Sequence, residues 1–553
     1  MKKKIFWNKF WIFWTLLLTF VYLVWRAVRT VPYEKPVTSY IFWTLLFVAE
    51  LIGLLEMAVH FYNMYDYGAN KLPKPNMDAK RFPDVDVLIP TVNEPCKLLE
   101  KTVKACVQME YARKERVHVY VLDDGNRKEV EQMAKRLGVN YLARQEHEFA
   151  KAGNLNYALE HSDSPLVVVF DADMIPEPQF LMETVPYFAT NIELLNNKTS
   201  KGIRKEYKKE NMIGFVQTPQ SFYQPDLFQQ NLYSEDHIPN EQDYFYRVVQ
   251  LSKIKSNSVI FGGTNAVLWR EALESIGGFV TGVVTEDFAT GIEIEKKGYK
   301  GIAIPEILAG GLPALTFRDL IRQRRRWAKG CIQSGKVAHI LLSRELKLVQ
   351  KINYFTSISY WYNSCKRLMY FFAPVAFALF GIVAVECRIE EVLMFWLPMY
   401  LCTKICVHRF SGNVRNTKWT NIYENTFFPY LLIPVLIESI GFKQKEFKVT
   451  RKDTVSKKNS NLLYMLPFLL GIVVSVWSLI NIFNLSIREN TYTYSVLIFW
   501  LLINLYYMVM SLLVAWGRPV ITDIDNQKTL PHKLKRVYID EGLVAFVKHL
   551  VGI

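Results

Sequence analysis

Long, predominantly apolar runs lie towards both ends of this 553-residue chain, and the region between them has ordinary α/β character. Ile5 to Val24 and Tyr40 to Val59 are the two runs nearest the N-terminus. Runs of this length are typical of helices that cross a bilayer. We therefore expect an integral membrane protein with a large soluble insertion, and not a soluble globule or a disordered chain.

Four further apolar runs are predicted at about residues 368–385, 392–407, 462–483 and 496–516, which makes six spans. The N-terminus is basic, with Lys2, Lys3, Lys4 and Lys9, so the positive-inside rule places it in the cytoplasm. The first two spans return the chain to the side where it began, so the soluble insertion that follows them is expected to be cytosolic. The chain has 67 Lys and Arg against 52 Asp and Glu, a net charge of +15. We attribute this excess to membrane-flanking sites and not to nucleic-acid binding.

Basic and apolar residues alternate from Phe317 to Leu342, a pattern that predicts a helix at the inner membrane surface. Trp419 to Phe442 mixes apolar and polar residues and is also predicted to be interfacial. The predicted regions are an N-terminal membrane region (1–61), a cytosolic domain (62–313), interfacial helices (314–366), a C-terminal membrane region (367–516) with an interfacial segment at 419–458, and a cytosolic tail (517–553).

Short β-branched runs in the soluble region end in polar clusters, and helical stretches separate the first three of them. These runs are Val85 to Pro90, Val117 to Gly125, Val167 to Asp173 and Ile213 to Pro219. The pattern predicts a Rossmann-like α/β domain with a mainly parallel sheet covered on both faces. Ligands of such sheets bind at the carboxyl ends of the strands, where the polar residues follow.

Acidic pairs stand at two of these strand ends. Asp171 and Asp173 are two residues apart, so they would point to the same side and could offer oxygen ligands to one hard divalent cation. Asp123 and Asp124 could accept hydrogen bonds from the base or ribose of a nucleotide. An ordinary turn at the end of a strand is the alternative for each pair.

Two further clusters lie downstream. Glu286 and Asp287 open a predicted helix, where a carboxylate is ordinarily a cap with a lowered pKa, although a general base is the alternative. In QRRRW, the guanidinium of Arg326 suits phosphate oxygens, and the indole of Trp327 can stack on a sugar. The alternative for QRRRW is a basic surface helix with an aromatic anchor.

The motifs PTVNEP, LDDG, AKAGNLNYAL, FDAD, VQTPQSF, FGGTNAV, TEDFATGIEI, QRRRW and FKVTRKD, in this order, resemble the processive family 2 glycosyltransferases, most closely the bacterial cellulose synthases. The resemblance extends over most of the chain. It implies a GT-A-type glycosyltransferase domain inserted in a transmembrane helix bundle of the plasma membrane. It also implies UDP-glucose as donor, Mg²⁺ or Mn²⁺ on Asp171 and Asp173, and Asp287 as the catalytic base. The acceptor would be a growing β-glucan, β-1,4-linked by preference, that is secreted through the protein's own channel.

The same resemblance assigns the remaining site residues. Nucleotide contacts fall to Thr91, Glu94, Asp123, Asp124, Lys151, Gln323 and Arg326. Acceptor contacts fall to Glu286, Gly262, Gly263, Thr264 and Trp327. Phe447, Val449, Thr450 and Lys452 would belong to a gating loop that closes over the nucleotide. The expected partners are the donor, the polysaccharide and the lipid bilayer, and an export subunit in the envelope is compatible with the resemblance.

The chain departs from the family pattern at several positions. Met174 replaces a His that often follows DAD, Val92 an aromatic, Gly262 a Cys, and Phe149 a His. These changes leave the acceptor and the linkage open, so a β-glucan of 1,3 or mixed linkage and a chitin- or hyaluronan-type synthase using UDP-N-acetylhexosamine remain alternatives. A membrane transporter is the alternative from another class. The tail after Trp516 is expected to be too short for a cyclic-di-GMP-binding barrel.

Overall fold

The computed structural model describes residues 2–66, 72–193, 211–235, 237–411, 414, 417–441 and 462–517. Ten strands lie in the predicted soluble domain. They are β1 (Val85–Thr91), β2 (Val117–Asp123), β3 (Asn140–Leu142), β4 (Leu166–Val169), β5 (Ile175–Pro176), β6 (Ile213–Gln217), β7 (Ser221–Phe222), β8 (Ala266–Trp269), β9 (Lys300–Ala303) and β10 (Ala309–Gly311). All four runs predicted as strands are therefore strands.

The main sheet has seven strands in the order β3-β2-β1-β4-β8-β6-β9. Its strands are parallel except β8, which runs antiparallel to both β4 and β6. Because of this reversal, the residues that precede β8 lie at the same edge as the residues that follow β1, β2, β4 and β6. A smaller sheet, β5-β10-β7, lies beside it. This is the GT-A-like α/β domain that the sequence predicts.

Helices cover this sheet and form the rest of the described chain. They are α1 (Lys2–Arg29), α2 (Val37–Met64), α3 (Cys96–Gln108), α4 (Lys128–Leu137), α5 (Ala150–Glu160), α6 (Phe180–Thr184), α7 (Leu227–Asn231), α8 (Gln250–Lys253), α9 (Arg270–Glu274), α10 (Glu286–Lys296), α11 (Phe317–Val337), α12 (Leu348–Ser359), α13 (Asn363–Phe380), α14 (Ile389–Glu391), α15 (Leu397–Ser411), α16 (Thr417–Ile440), α17 (Leu462–Arg488) and α18 (Ser495–Trp516). Two π-helical turns, Phe245–Val249 and Val392–Trp396, precede α8 and α15.

Four helices of the described chain are long and apolar enough to cross a membrane: Ile5–Arg29, Val37–Met64, Leu462–Arg488 and Ser495–Trp516. They flank the α/β domain, and the protein is a membrane protein. The other two predicted spans coincide with α13 and α15, which do not reach the same length and hydropathy. The total of six spans therefore stays a prediction.

The core of the α/β domain covers both faces of the sheet, as expected for strands that read as continuous apolar runs. Every residue of β4 and β8 is buried. One charged pair lies within this core: Asp86 of β1, which is fully buried, accepts a hydrogen bond from Arg270 Nη2 at 2.8 Å. Ser164 Oγ donates to the same carboxylate at 2.7 Å. These contacts tie β1 to the residue that follows β8.

Candidate active site

The tips of β1 and β2 bring the first group of predicted residues together. Thr91 and Asp123 are paired across the two strands, and both are buried. Glu94 folds back over the tip of β1, where its Oε2 accepts hydrogen bonds from Thr91 Oγ1 at 2.8 Å and from the Val92 nitrogen at 2.9 Å. Thr91, Glu94 and Asp123 therefore form one polar rim.

Two arginines hold the carboxylates of the LDDG motif. Arg127 donates to Asp123 Oδ1 through Nε at 3.1 Å and through Nη2 at 2.9 Å. Arg144 binds Asp124 with Nε at 2.7 Å and Nη2 at 2.8 Å. Arg144 thus binds both oxygens of Asp124, Arg127 donates twice to one oxygen of Asp123, and such charge-assisted bonds fix both partners. The two aspartates, which the sequence predicts as nucleotide acceptors, thus make ion pairs inside the chain. Sequence reasoning missed both arginines, although the four-residue spacing of Asp123 and Arg127 is a usable signal.

Lys151, on α5, joins three of the predicted motifs. Its Nζ donates to Asp171 Oδ1 at 2.6 Å and to the Gly263 carbonyl at 2.8 Å. The Asp171 nitrogen donates to Thr264 Oγ1 at 2.9 Å. Burial alone would lower the pKa of Lys151, but the carboxylates of Asp171, Glu286 and Asp287 outweigh it and raise the pKa. The AKAGN, FDAD and FGGTN motifs therefore meet around one ammonium group.

The two aspartates of FDAD have different surroundings. About a third of the Asp171 side chain is exposed. Asp173 is 2% exposed, and its Oδ2 accepts a hydrogen bond from the Leu312 nitrogen at 3.2 Å. Met174, which departs from the family pattern, is fully buried, and a Cβ on Gly311 would lie 2.5 Å from its terminal methyl group. Met174 is thus a packing residue.

Asp287 lies in the first turn of α10, as predicted, and next to the FGGTN loop. A Cβ on Gly263, whose φ is +79°, would lie 2.6 Å from Asp287 Oδ2. The Phe288 nitrogen donates to Asp287 Oδ1 at 2.7 Å. Burial and the neighbouring Glu286 raise the pKa of Asp287 from its ordinary 3.8 to about 7, whereas Lys151 and Arg326 favour the charged form.

The expectation that a carboxylate at this helix start has a lowered pKa is therefore wrong for Asp287. Favourable interaction with a helix N-terminus amounts to about 0.3–1 kcal/mol for an exposed group. The loss of water around a buried carboxylate can raise its pKa by several units, and a second carboxylate adds to the rise. A carboxyl group with a pKa of about 7 has the proton affinity that suits a general base at neutral pH.

The QRRRW helix, α11, packs directly against the start of α10. Gly330 permits this, because a Cβ there would lie 2.4 Å from the Thr285 side chain. The hydroxyls of Thr285 and Ser334 are 3.0 Å apart. Arg326 of this helix acts on Asp287, as its effect on the pKa indicates. The contact places a basic, aromatic helix beside the candidate base.

The other two predicted residues of α11 point to different neighbours. Gln323 borders a small cavity that Asp226, Phe228 and Glu241 also line. Trp327 lies under the guanidinium of Arg324, whose Cζ is 4.6 Å from the ring centroid. The charge of Arg326 thus favours ionised Asp287, while Gln323 and Trp327 lie along the same helix towards other groups.

Sequence reasoning missed two residues that shape this site. Gln217, at the end of β6, accepts a hydrogen bond from the Gly262 nitrogen at 2.8 Å and donates to the Thr264 carbonyl at 2.9 Å. Tyr246 lies beneath the same loop, because a Cβ on Gly262 would be 2.5 Å from its hydroxyl. Burial raises the pKa of Tyr246, and Asp287 and Asp171 add to this rise. For Gln217, its place in the VQTPQSF motif at the end of a strand is a usable signal in the sequence.

The four residues predicted for the gating loop, Phe447, Val449, Thr450 and Lys452, lie outside the described residues. Their prediction is therefore untested.

Comparison with known proteins gives a family match over the α/β domain and curated relatives over most of the chain. Residues 83–330 match the family described as Glycosyltransferase like family 2. The cellulose synthase catalytic subunit (UDP-forming) of Pseudomonas fluorescens (strain SBW25) is 31% identical over 447 residues, 80% of this chain and 57% of that protein. The cellulose synthase 1 catalytic subunit (UDP-forming) of Komagataeibacter xylinus is 29% identical over 512 residues, 91% of this chain and 65% of that protein.

The chain spans less than two thirds of the length of these curated relatives. One similar solved structure is the mannosyltransferase PcManGT from Pyrobaculum calidifontis, in complex with GDP-Man and Mn²⁺. It superimposes with a TM-score of 0.48 at 19% identity, and the match covers 72% of this chain and 100% of that one. The family match includes every predicted site residue from Thr91 to Trp327. The chain thus carries a glycosyltransferase family 2 domain at residues 83–330.

Proposed function

We propose that this protein is a processive, inverting glycosyltransferase that polymerises glucose from UDP-glucose into a β-glucan. The observation that carries the proposal is the convergence of Lys151, Asp171 and Asp287 on the Gly263 backbone. Lys151 Nζ lies 2.6 Å from Asp171 and 2.8 Å from the Gly263 carbonyl, and Asp287 lies against the α-carbon of the same glycine. A cationic group, an acidic metal motif and a candidate base thus surround one point. The relatives named as UDP-forming cellulose synthases support UDP-glucose as the donor.

The donor would lie along the carboxyl edge of the sheet. The rim of Thr91, Glu94 and Asp123 lies at this edge and offers hydroxyl and carboxylate groups that would suit a uridine. Because Arg127 and Arg144 already bind Asp123 and Asp124, these pairs keep the loop in a fixed shape for the nucleotide. Lys151, which pairs with Asp171 of the FDAD motif, and Arg326, whose charge acts on Asp287, would contact the diphosphate.

The two aspartates of FDAD fit a divalent cation of the Mg²⁺ or Mn²⁺ type. Asp171 and Asp173 supply carboxylate oxygens, the ligands that such cations prefer, and Asp171 is about a third exposed. Among the described residues, no group of three or more His, Cys, Asp or Glu side chains gathers at one point. The diphosphate and water would therefore complete the coordination, as is usual for Mg²⁺. When bound, the cation would neutralise charge on the departing diphosphate.

Asp287 is the proposed base. Its carboxylate would take the proton from the terminal hydroxyl of the acceptor, and the oxygen would then form a bond to the anomeric carbon as the bond to the diphosphate breaks. Attack opposite the leaving group inverts the anomeric centre, so an α-linked donor gives a β-linked product. The FGGTN loop would lie beside the attacking sugar. Glu286 and Trp327 are the proposed acceptor contacts.

The helices beyond the α/β domain would form the path of the product. Several ion pairs lie among them, including Arg26 with Glu50 and Lys366 with Glu56. Charged groups among apolar helices are costly and are found where they pair or line a polar path. Tyr360, Trp361, Trp396, Tyr400 and Asn504 remain candidates for the lining, although Asn504 donates to the Phe371 carbonyl at 3.1 Å and Trp396 stacks on Tyr400.

The proposed arrangement is a multi-pass protein of the plasma membrane with a cytosolic catalytic domain at 62–313 and interfacial helices at 314–366. The membrane regions are 1–61 and 367–516, the second with the gating loop within 419–458, and 517–553 is a cytosolic tail. Protease digestion of sealed inside-out vesicles would test the side of the domain. Protection of the domain from protease would contradict a cytosolic location.

The direct test uses the purified protein in lipid nanodiscs with labelled UDP-sugars. We expect polymer from UDP-glucose, digestible by a β-1,4-glucanase. Polymer from UDP-N-acetylglucosamine alone would refute the glucose assignment, and resistance to the 1,4-specific enzyme would favour a 1,3 or mixed linkage. Asp287→Asn is expected to abolish polymer formation and to retain UDP binding, with Glu293→Gln on the same helix as control. Near-normal synthesis by Asp287→Asn would contradict its role as base.

A further inference from the structure

Trp327 is held through a cation and not only by apolar packing. The guanidinium Cζ of Arg324, one turn earlier on α11, lies 4.6 Å from the centroid of the Trp327 ring. The same Cζ lies 5.0 Å from the centroid of the Phe427 ring on α16. Contacts between a guanidinium and an aromatic face are favourable, more so when water is excluded. The orientation of Arg324 therefore bears directly on the Trp327 ring.

Glu241 fixes the orientation of Arg324. The two side chains form an ion pair in which Arg324 is 10% exposed and Glu241 is 5% exposed. Glu241 belongs to the catalytic domain, between β7 and the Phe245–Val249 turn, and its backbone nitrogen donates to Asp226 Oδ2 at 2.8 Å. Asp226 itself caps α7. The backbone of Glu241 is thus held by a hydrogen bond to the residue that caps α7.

Water has little access to this ion pair, so the Arg324 side chain has few alternative orientations. Removing one partner of a buried ion pair leaves the other charge without compensation, which is strongly unfavourable. Without the Glu241 charge, the Arg324 guanidinium would turn towards water or another acceptor. It would then leave the face of Trp327.

Glu241 also lies between two openings in the protein. On one side it borders the small cavity next to Gln323. On the other it borders a cavity of about 160 Å³ lined by Tyr244, Trp419 and Tyr423 among others. Aromatic faces with a few polar groups are the usual lining of small-molecule sites. Glu241 thus borders both the cavity next to Gln323 and the cavity lined by aromatic residues.

We propose that Glu241 is a positioning residue for the acceptor: through Arg324 it sets the orientation of the Trp327 ring on which the end of the growing chain rests. This inference rests on the proposed function, which assigns Trp327 to the acceptor. Glu241 itself would not contact the reacting atoms. Its effect would reach the reaction through the ring, so donor binding would be left unchanged.

The test compares Glu241→Gln and Arg324→Lys with Asp243→Asn. Glutamine keeps the shape of Glu241 but removes its charge, and lysine keeps the charge of Arg324 but removes its flat face. Asp243 is the matched control. Its side chain is 6% exposed, it lies two residues from Glu241, and it has its own arginine, Arg247, at 3.6 Å.

Two measurements are made on the full-length protein in nanodiscs. In protein labelled with 5-fluorotryptophan, the ¹⁹F resonance of Trp327 is identified by its loss in Trp327→Phe. We expect this resonance to move in Glu241→Gln and in Arg324→Lys, and to stay in place in Asp243→Asn. We also expect kcat for glucose transfer to fall roughly tenfold or more, with KM for UDP-glucose unchanged within about twofold.

An unmoved Trp327 resonance in Glu241→Gln would overturn the proposal, as would an equal shift in Asp243→Asn. A rise in KM for UDP-glucose with unchanged kcat would also overturn it, because Glu241 would then serve the donor. Failure of the proposed function is a separate outcome: the wild-type protein would make no polymer from UDP-glucose. In that case a moved resonance would still support control of the ring by Glu241, and only the acceptor role of Trp327 would fall.

Discussion

The raised pKa of Asp287 predicts that the proposed glucose transfer is sensitive to pH near neutrality. The carboxylate, and not the carboxylic acid, accepts the proton, so activity is expected to rise with pH through the pKa of about 7 and then level off. With one titrating group, about one eleventh of the molecules carry the carboxylate at pH 6 and about ten elevenths at pH 8, so kcat should rise roughly tenfold between these values. An ordinary aspartate, with a pKa of 3.8, would give no change in this range.

Glu286→Gln tests the physical cause of this shift. Burial is the largest contribution and Glu286 the next, so removing the Glu286 charge should lower the midpoint of the profile only part of the way towards 3.8. The assay is incorporation of labelled glucose at saturating UDP-glucose, with UDP affinity measured at each pH to separate binding from turnover. Glu293→Gln removes a carboxylate from the same helix and should leave the midpoint in place. A flat wild-type profile between pH 6 and 8, or an unchanged midpoint in Glu286→Gln, would refute the reasoning.

Three further predictions follow from other contacts. Gly263→Ala should lower kcat at least tenfold, because its Cβ would lie 2.6 Å from Asp287 Oδ2. The control, Gly277→Ala, is also at positive φ but has nothing within 4 Å, so it should show only the cost of backbone strain, and equal losses in kcat would contradict the prediction. Asp171→Asn should weaken Mn²⁺ binding in the presence of UDP, measured by electron paramagnetic resonance, and unchanged Mn²⁺ affinity would remove Asp171 from the metal site. Asp86→Asn leaves the buried Arg270 without its partner and should destabilise the domain by about 3 kcal/mol. We expect a lower melting temperature in nanodiscs with UDP affinity retained, and an unchanged melting temperature would argue against the ion pair.

The strands, and the sheet edge that carries the site residues, could be predicted because local sequence is sufficient for them. Each apolar run is long enough for one buried strand, and the acidic residues that follow mark its carboxyl end. The direction of β8 could not be predicted in this way, because a run such as Ala266 to Trp269 has the same pattern in either direction. Its antiparallel pairing with β4 and β6 shows that FGGTN lies at the sheet edge that carries the site residues.

The electrostatics of the site depended on contacts between distant residues. The helix-start rule gave the wrong direction for the pKa of Asp287, because burial and Glu286 together exceed the effect of the helix. The pairing of Asp124 with Arg144 joins two loops and has no periodic signal in the sequence. Gly263 could be recognised as part of a motif, but its contact with Asp287 requires the fold. Residue types were thus predictable where a motif is local, and their charge states were not.

The contact of Gly330 with Thr285 determines where the enzyme domain can be cut from its membrane helices. A soluble fragment that stops after β10 would lack α11 and would expose the residue just before the Asp287 helix to water. Extending the fragment past Ser334 would keep both hydroxyl contacts with Thr285, each at 3.0 Å. Truncation experiments that aim at an independently folded domain should therefore retain the QRRRW helix, since it packs on the residue that precedes the Asp287 helix.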